Sequence, residues 1–327
     1  MFDFTLFLLP GAFASGTGAT LDILNCAANQ ARAMGCAVPR WRVCSLDTSI
    51  ALSSGLTIDT TALSTRTRSD RSVWILPGLG LNDLESIKSR LSERDVVMAI
   101  ALLKKHARNG GTIAASCSAV FLLCQAGLLT GKRVTTTWWL GGALKQMEPS
   151  CTVDIDQMVV ADEGVITGGA AFAHVDLVLH LLRTRFSPSL AEAVSRTMVI
   201  DGRESQARYI VPTALAGGNE LVGKVISRFE EGLPHAISIA QLAADLCMSP
   251  RTLSRHVKEA TGRSVSALLQ SARINRARLL LETTKMSVEQ VASEVGYADT
   301  TALRRLMRKV TQATPRQFRR TVFTDSR

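Results

Sequence analysis

Two sets of side chains in this chain have the types and spacing to do chemistry. The first is Cys117, the centre of Ala115-Ser116-Cys117-Ser118-Ala119. Small residues two places either side of a central residue permit a sharp strand-to-helix turn that projects the central side chain at the edge of a sheet. A thiol in that position is a candidate nucleophile, and the dipole of the following helix favours its thiolate. Against this, a Cys among apolar neighbours is more often an inert core residue. The second set is cationic and polar: Ser249, Arg251, Thr252, Ser254, Arg255 and Lys258, and then Thr300, Thr301, Arg304, Arg305 and Arg308. Arg and Lys meet phosphates, while Arg, Ser and Thr also reach base edges, so each group suits double-stranded DNA.

The elements that must carry the second set are legible as one pattern written twice. Ile239, Leu242, Ala243 and Leu246 fall at i, i+3, i+4 and i+7, the apolar stripe of a helix packed on a core. A tight turn follows at Cys247-Met248, and Ser249-Pro250 supplies a cap and a first-turn proline for a second helix that buries Leu253, Val257 and Ala260. Val288, Val291, Ala292 and Val295 repeat the stripe, with Ser287 and Gln290 at capping-box spacing and Gly296 fit for the left-handed turn. Asp299 then caps a helix with Leu303, Leu306, Met307 and Val310 inward. The offset is 49 residues (239 to 288) and becomes 50 after the turn (253 to 303). A single basic helix is usually a solvated surface; two in register point to paired helix-turn-helix units. Between them a helix from Val265 to about Glu282 spans about 28 Å, close to one turn of duplex, about 34 Å, and so predicts recognition helices in successive major grooves.

Charge agrees with this division. The net charge is +10, yet residues 219–327 hold 18 Lys/Arg against 10 Asp/Glu, net +8, and residues 1–218 hold 20 against 18, net +2. A polyanion partner belongs to the C-terminal third. At 327 residues and 46% apolar, the chain suits two domains with substantial cores and excludes a disordered protein. The seven cysteines, at 26, 36, 44, 117, 124, 151 and 247, include no C-x-x-C pair, which argues against a disulfide framework and a zinc site. No metal or cofactor is expected. The first apolar run breaks at Pro10 and no Lys or Arg precedes Arg32, so neither a signal peptide nor a membrane span is read; the expected location is cytoplasmic.

The first two thirds alternate short apolar runs with helical stretches. Strands are predicted at Phe2–Leu9, Trp41–Leu46, Val73–Leu76 and Thr112–Ser116, and helices at about 18–34, 93–108 and 118–127. That order predicts a doubly wound, flavodoxin-like α/β sandwich, followed by an all-α double helix-turn-helix domain.

The C-terminal stretch resembles the DNA-binding domain of the AraC/XylS regulators through LAADLCMSPRTLSRHVKEATG at 242–262, RINRARLLLETTKMSVEQVASEVGYADTTALRRLMRKVT at 273–311 and the TPRQFRR that follows. It departs from the family where Cys247 replaces the usual turn glycine, where Leu303 and Met307 replace two phenylalanines, and where Gln312 replaces the glycine before the final Thr-Pro. Residues 1 to about 210 resemble the ThiJ/PfpI branch of the class I glutamine amidotransferase-like fold, through LPG at 76–78, SCSAVFLLCQAGLLTGKRVTTTWW at 116–139 and VITGGAAFAHVDLVLHLLR at 165–183. In catalytic members the elbow Cys works with a His after a Thr-Thr pair and an acidic residue near the first strand. Here Thr137 follows Thr135-Thr136, and 14–19 contains no carboxylate. Without a base the thiol loses its activation, so no catalytic residue is assigned.

The resulting expectation is a sequence-specific transcription regulator with three parts: a sensor and dimerisation domain at 1–212, a linker at 213–219 and a DNA-binding domain at 220–327. Its effector is a small nitrogen-containing or carboxylate metabolite held by Gly78, Leu79, Cys117, Ser118, Thr137, Trp138 and His174. Amides at a helix N-terminus take carboxylates, and a Trp face takes a cationic nitrogen. The resemblance implies a homodimer and makes RNA polymerase a further partner. Two alternatives stand beside it: a cysteine hydrolase of the ThiJ/PfpI kind with an ancillary DNA-binding domain, and a regulator that senses oxidants through Cys117.

Overall fold

A computed structural model describes residues 2–64, 70–215, 219–235, 237–311 and 314–319. The chain divides into two compact units, Met1–Gln206 and Ala207–Arg327.

The first unit runs β1 (Phe4–Phe7), α1 (Ala14–Ala33), β2 (Trp41–Ser45), β3 (Ser49–Ala51), β4 (Thr57–Asp59), β5 (Thr61–Ala62), β6 (Val73–Leu76), α2 (Leu84–Leu91), α3 (Arg94–Arg108), β7 (Ile113–Ser116), α4 (Val120–Gln125), β8 (Arg133–Val134), α5 (Gly141–Met147), β9 (Thr152–Val153), β10 (Val159–Asp162), β11 (Val165–Gly168), α6 (Ala173–Arg185) and α7 (Pro188–Thr197). Seven strands form one sheet in the order β10-β11-β7-β6-β1-β2-β5. All its pairings are parallel except that of β10 with β11 at the edge. The central strands β1, β6 and β7 are buried at every position, as their unbroken apolar character requires when both faces are covered. Order and direction are those of the expected doubly wound sandwich. Sequence reasoning passed over the β3–β4 hairpin, the β8–β9 pair and β10, two to four residues each and partly exposed, which carry too few positions to show a period.

This unit closes on a strap, residues 199–206, whose end pairs with residues 156–158 just before β10. Gln206, at 1% exposure, is fixed on several sides: its backbone N–H donates to Asp156 O (2.8 Å), its amide nitrogen donates to Thr136 O (2.9 Å), and its amide oxygen accepts from the Ala170 N–H (3.2 Å). The division therefore falls at 206/207, six residues before the end expected at 212. Beyond it, α8 (Pro212–Leu215) packs on helices of the second unit, within the stretch where a linker was expected; residues 216–218 of that linker lie outside the described residues.

The second unit continues with α9 (Glu220–Glu231), α10 (Ile239–Asp245), α11 (Pro250–Thr261), α12 (Val265–Thr283), α13 (Val288–Glu294), α14 (Thr300–Thr311) and α15 (Pro315–Phe318). Their starts are written in the sequence. Asn219, Ser238, Ser249, Ser264 and Ser287 each accept a hydrogen bond from the amide three residues on, and Ser287–Gln290 form the anticipated reciprocal capping box. Arg273 of α12 ties the bundle together, its guanidinium 5.3 Å from the Phe229 ring of α9 and 5.1 Å from that of Tyr297, which precedes α14.

Candidate functional site

The two helix pairs α10–α11 and α13–α14 repeat each other in side-chain detail. In α11, Leu253 and Val257 are fully buried and Thr261 donates its hydroxyl to Val257 O at 2.7 Å. In α14, Leu303 and Met307 are fully buried and Thr311 donates to Met307 O at 2.7 Å. Ala260, Leu306 and Val310 are only half-buried, so each core stripe is narrower than the sequence suggested. The outward faces are as expected: Arg251, Ser254, Arg255 and Lys258 are exposed on α11, and Thr301, Arg304, Arg305 and Arg308 on α14, with Thr252 and Thr300 half-buried at the helix starts. Ser249 is exposed and caps α11, accepting from the Thr252 N–H at 3.1 Å, while Asp299 caps α14 through the Ala302 N–H at 2.8 Å. Lys309 is exposed beside Arg308 and was missed, although its place in a basic helix was the available signal.

Few of these cations are held by acids. Arg255 lies 4.0 Å from Glu259 and Arg304 4.0 Å from Glu289, distances too long for strong hydrogen bonds, with both partners largely exposed. The guanidinium groups are thus free to meet phosphate or base edges at little cost.

The turns between helices match as well. Cys247 has φ 55° and Gly296 φ 78°, the same left-handed conformation 49 residues apart (296 minus 247). Helix α12 spans 19 residues, Val265–Thr283, against the expected run from Val265 to about Glu282.

In the first unit the expected elbow forms. β7 ends at Ser116, and Cys117 takes a left-handed φ of 55° at the start of a short 3-10 turn that leads into α4. Gly168 pairs with Ser116, and the Cys117 N–H carries that ladder one step further, donating to Gly169 O at 2.8 Å. Gly78 must lack a side chain, since a Cβ there would lie 2.9 Å from the Cβ of Cys117. Ser118 Oγ accepts from the Leu79 N–H at 3.0 Å, and the Thr136 hydroxyl donates to Cys117 O at 2.8 Å.

Gly78, Leu79, Cys117, Ser118, Thr137 and Trp138 are thereby drawn into one region, but it is packed shut, with exposures from 0% (Thr137) to 9% (Trp138). Trp138 meets the neighbouring Trp139 edge-on at 5.0 Å. The expectation of a thiolate-favouring elbow is overturned: burial pushes the Cys117 thiol above its ordinary pKa and outweighs the opposing contacts from Ser118 and Thr137.

His174 serves the core. It is fully buried, with Nδ1 2.7 Å from Ser116 Oγ and Nε2 2.7 Å from Thr20 Oγ1. Because the Thr20 hydroxyl donates to Gly16 O (2.9 Å), it accepts from Nε2–H, and Nδ1 then accepts from Ser116. Desolvation pushes its pKa down to about 4, so the ring is neutral at ordinary pH. Both ring nitrogens are occupied, which leaves His174 no lone pair or proton for the Cys117 thiol.

With this geometry in hand, comparison with known proteins is direct. Residues 242–321 match the helix-turn-helix domain family and residues 42–184 the DJ-1/PfpI family. The HTH-type transcriptional regulator CdhR of Pseudomonas aeruginosa is 27% identical over 321 residues, covering 97% of this chain and 91% of CdhR. The chain thus carries an AraC-type helix-turn-helix domain and a DJ-1/PfpI domain, the combination found in its relatives, which are AraC-family HTH-type regulators with an N-terminal DJ-1/PfpI-like domain. The HTH-type transcriptional regulator ArgR of the same organism is 28% identical over 256 residues, 75% of this chain and 78% of ArgR. A solved structure of a putative transcriptional regulator protein from Vibrio parahaemolyticus superposes with TM-score 0.50 at 16% identity over 60% of this chain and 98% of that one, which bears on the α/β fold alone. Like the relatives it matches, this chain is a DNA-binding transcription regulator.

Proposed function

We propose that this AraC-family regulator reads one operator half-site with α11 and α14 together, and that its DJ-1/PfpI-like unit controls the reading by binding a small metabolite rather than by catalysis. The observation that carries the first part is the duplication: two capped helices expose Arg251, Arg255 and Lys258 and then Arg304, Arg305 and Arg308, joined by a 19-residue helix about 28 Å long. Arg255 and Arg304, with the short hydroxyl side chains beside them, read bases, and Lys258 meets phosphate.

The non-catalytic part rests on chemistry missing around Cys117. Its thiol is buried and held protonated, Thr137 stands in the place of the family's base, and His174 is locked between Ser116 and Thr20. A thiol with neither base nor depressed pKa is a poor nucleophile and a slow target for oxidants. The effector is a small nitrogen-containing or carboxylate compound. The elbow residues offer it the backbone amide at 118, the Thr137 hydroxyl and the Trp138 ring once their packing opens. The regulator is a homodimer through its α/β unit, works in the cytoplasm and meets RNA polymerase at the promoter.

Replacing Cys117 by Ala tests the division of labour. Metabolite-dependent transcription should persist in the variant. Loss of substrate turnover would favour the hydrolase, and selective loss of a peroxide response would favour the oxidant sensor.

A further inference from the structure

The last residue of the first unit is stitched to the elbow in a closed ring of hydrogen bonds. Cys117 donates its backbone N–H to Gly169 O (2.8 Å) and accepts at its own carbonyl from the Thr136 hydroxyl (2.8 Å). The buried Gln206 amide bridges the same two holders. Its Nε2 donates to Thr136 O (2.9 Å), and its Oε1 accepts from the Ala170 N–H (3.2 Å), one residue past Gly169. The amide nitrogen also reaches Thr135 Oγ1 at 3.2 Å and Gln157 O at 3.3 Å. Gly169 leaves room for it, since a Cβ there would stand 2.5 Å from Oε1. Cys117 keeps its left-handed φ of 55° because such neighbours over-determine it, so a rearrangement of that turn disturbs the bonds Gln206 shares.

The chain has no slack beyond that point. Ser205 pairs with Gln157, and Gln206 donates its own N–H to Asp156 O (2.8 Å), so both belong to the first unit. The next residues, Ala207–Tyr209, form a short 3-10 turn that packs on α14 within the second unit. Ile210 is buried, and α8 packs on α9 and α12. The other recognition helix, α11, packs on α9, α10 and α12. A flexible tether of several residues would absorb a local displacement, whereas a junction of one peptide bond transmits it.

We propose that Gln206 is a positioning residue for DNA reading: it holds the turn at Ala207–Tyr209 in register with the elbow, and so makes α14, rather than α11, the recognition helix governed by the state of the first unit. A change at Cys117 that draws Thr136 and Gly169 apart releases the Gln206 amide, frees the turn and loosens α14, while α11 stays on its own packing. A ligand that favours the ring broken or intact shifts α14 by its differential affinity for the two states. That last consequence rests on the regulatory reading above; the mechanical link does not.

Hydrogen exchange of the full chain, followed by mass spectrometry, reads the link without any ligand. Gln206→Ala removes the amide, and Gly169→Ala displaces it while leaving Gln206 in place. Gln206→Glu, which cannot donate to Thr136 O, replaces Gly169→Ala if that variant fails to fold. Expected is faster exchange across 207–211 and α14 by about fivefold, the effect of one lost buried hydrogen bond, with α11 unchanged. Adding Gly169→Ala to Gln206→Ala should change nothing further, because both act through one amide. A residue that merely stabilised the first unit would leave α14 unmoved, and that outcome overturns the proposal. Equal loosening of α11 and α14 overturns it too, as do additive effects in the double variant. Gel shifts on DNA from upstream of the chain's own gene read the consequence separately. Gln206→Ala should change affinity in the wild-type and Arg255→Ala backgrounds but not in Arg304→Ala; an affinity unmoved by Gln206→Ala overturns its role in DNA reading. Failure of wild type to bind that DNA strikes the regulatory reading and leaves the exchange result standing.

Discussion

At the scale of single residues, the two positions that depart most from expectation are Cys247 and His174. Cys247 holds φ 55° in the turn where its counterpart is Gly296, and a side chain in that conformation costs about 1–2 kcal/mol. Part of a replacement's gain is returned as entropy of the unfolded chain, so Cys247→Gly should stabilise the protein by about 1 kcal/mol, read as a raised urea midpoint. His174 sets the acid limit of the α/β unit. Its pKa falls from an ordinary value of about 6.5 to about 4 on folding, so the unfolded chain binds the extra proton between those values. The contribution is complete above about pH 6.5 and is lost as pH falls toward 4, roughly 3 kcal/mol for a single site. Urea midpoints recorded across that window should slope downward with acid in wild type and less so in His174→Gln. The elbow itself was legible, because small residues flanking Cys117 dictate the turn. The protonation of its thiol was not, because burial is a property of the assembled core, and no spacing in the sequence announces that Gly78 and Thr137 come to lie against it.

At the scale of elements, capping residues made the C-terminal helices readable almost residue for residue. Ser249-Pro250 and Ser287 mark starts that the structure keeps, and α12 begins at Val265 as expected. The strap at 199–206 and the polar face of α6 escaped notice, since their meaning lies in contacts between segments distant in sequence: Gln206 with Thr136 and Ala170, and Arg203 with Asp176. Arg273 is the element-scale joint of the second unit. Removing its two ring contacts, Arg273→Ala should lower stability by about 1–2 kcal/mol, with Arg273→Lys intermediate, in thermal unfolding. On the recognition helices, Arg255→Ala or Arg304→Ala should cost about 1–3 kcal/mol on the cognate sequence and relax base preference. Lys258→Ala should weaken all duplexes alike and reduce the slope of log affinity against log salt by about one. Gel shifts over several sequences and salt concentrations separate the two behaviours.

At the scale of the whole molecule, charge and fold assign the work to different units. The excess of Lys and Arg lies after residue 218, where the recognition helices hold Arg255 and Arg304 only loosely, while the nearly neutral α/β unit carries the buried elbow. Among the described residues no helix is long and apolar enough to cross a membrane, and no group of three or more potential metal ligands occurs. The account therefore depends on α11 and α14 acting as a pair on one stretch of duplex. Footprinting the full chain on DNA from upstream of its own gene tests this most directly. The account predicts protection of two neighbouring major grooves on one face, about one helical turn apart, with Arg255→Glu exposing one groove and Arg304→Glu the other. A footprint confined to one groove and indifferent to Arg304→Glu, or no protection at low salt, would contradict it.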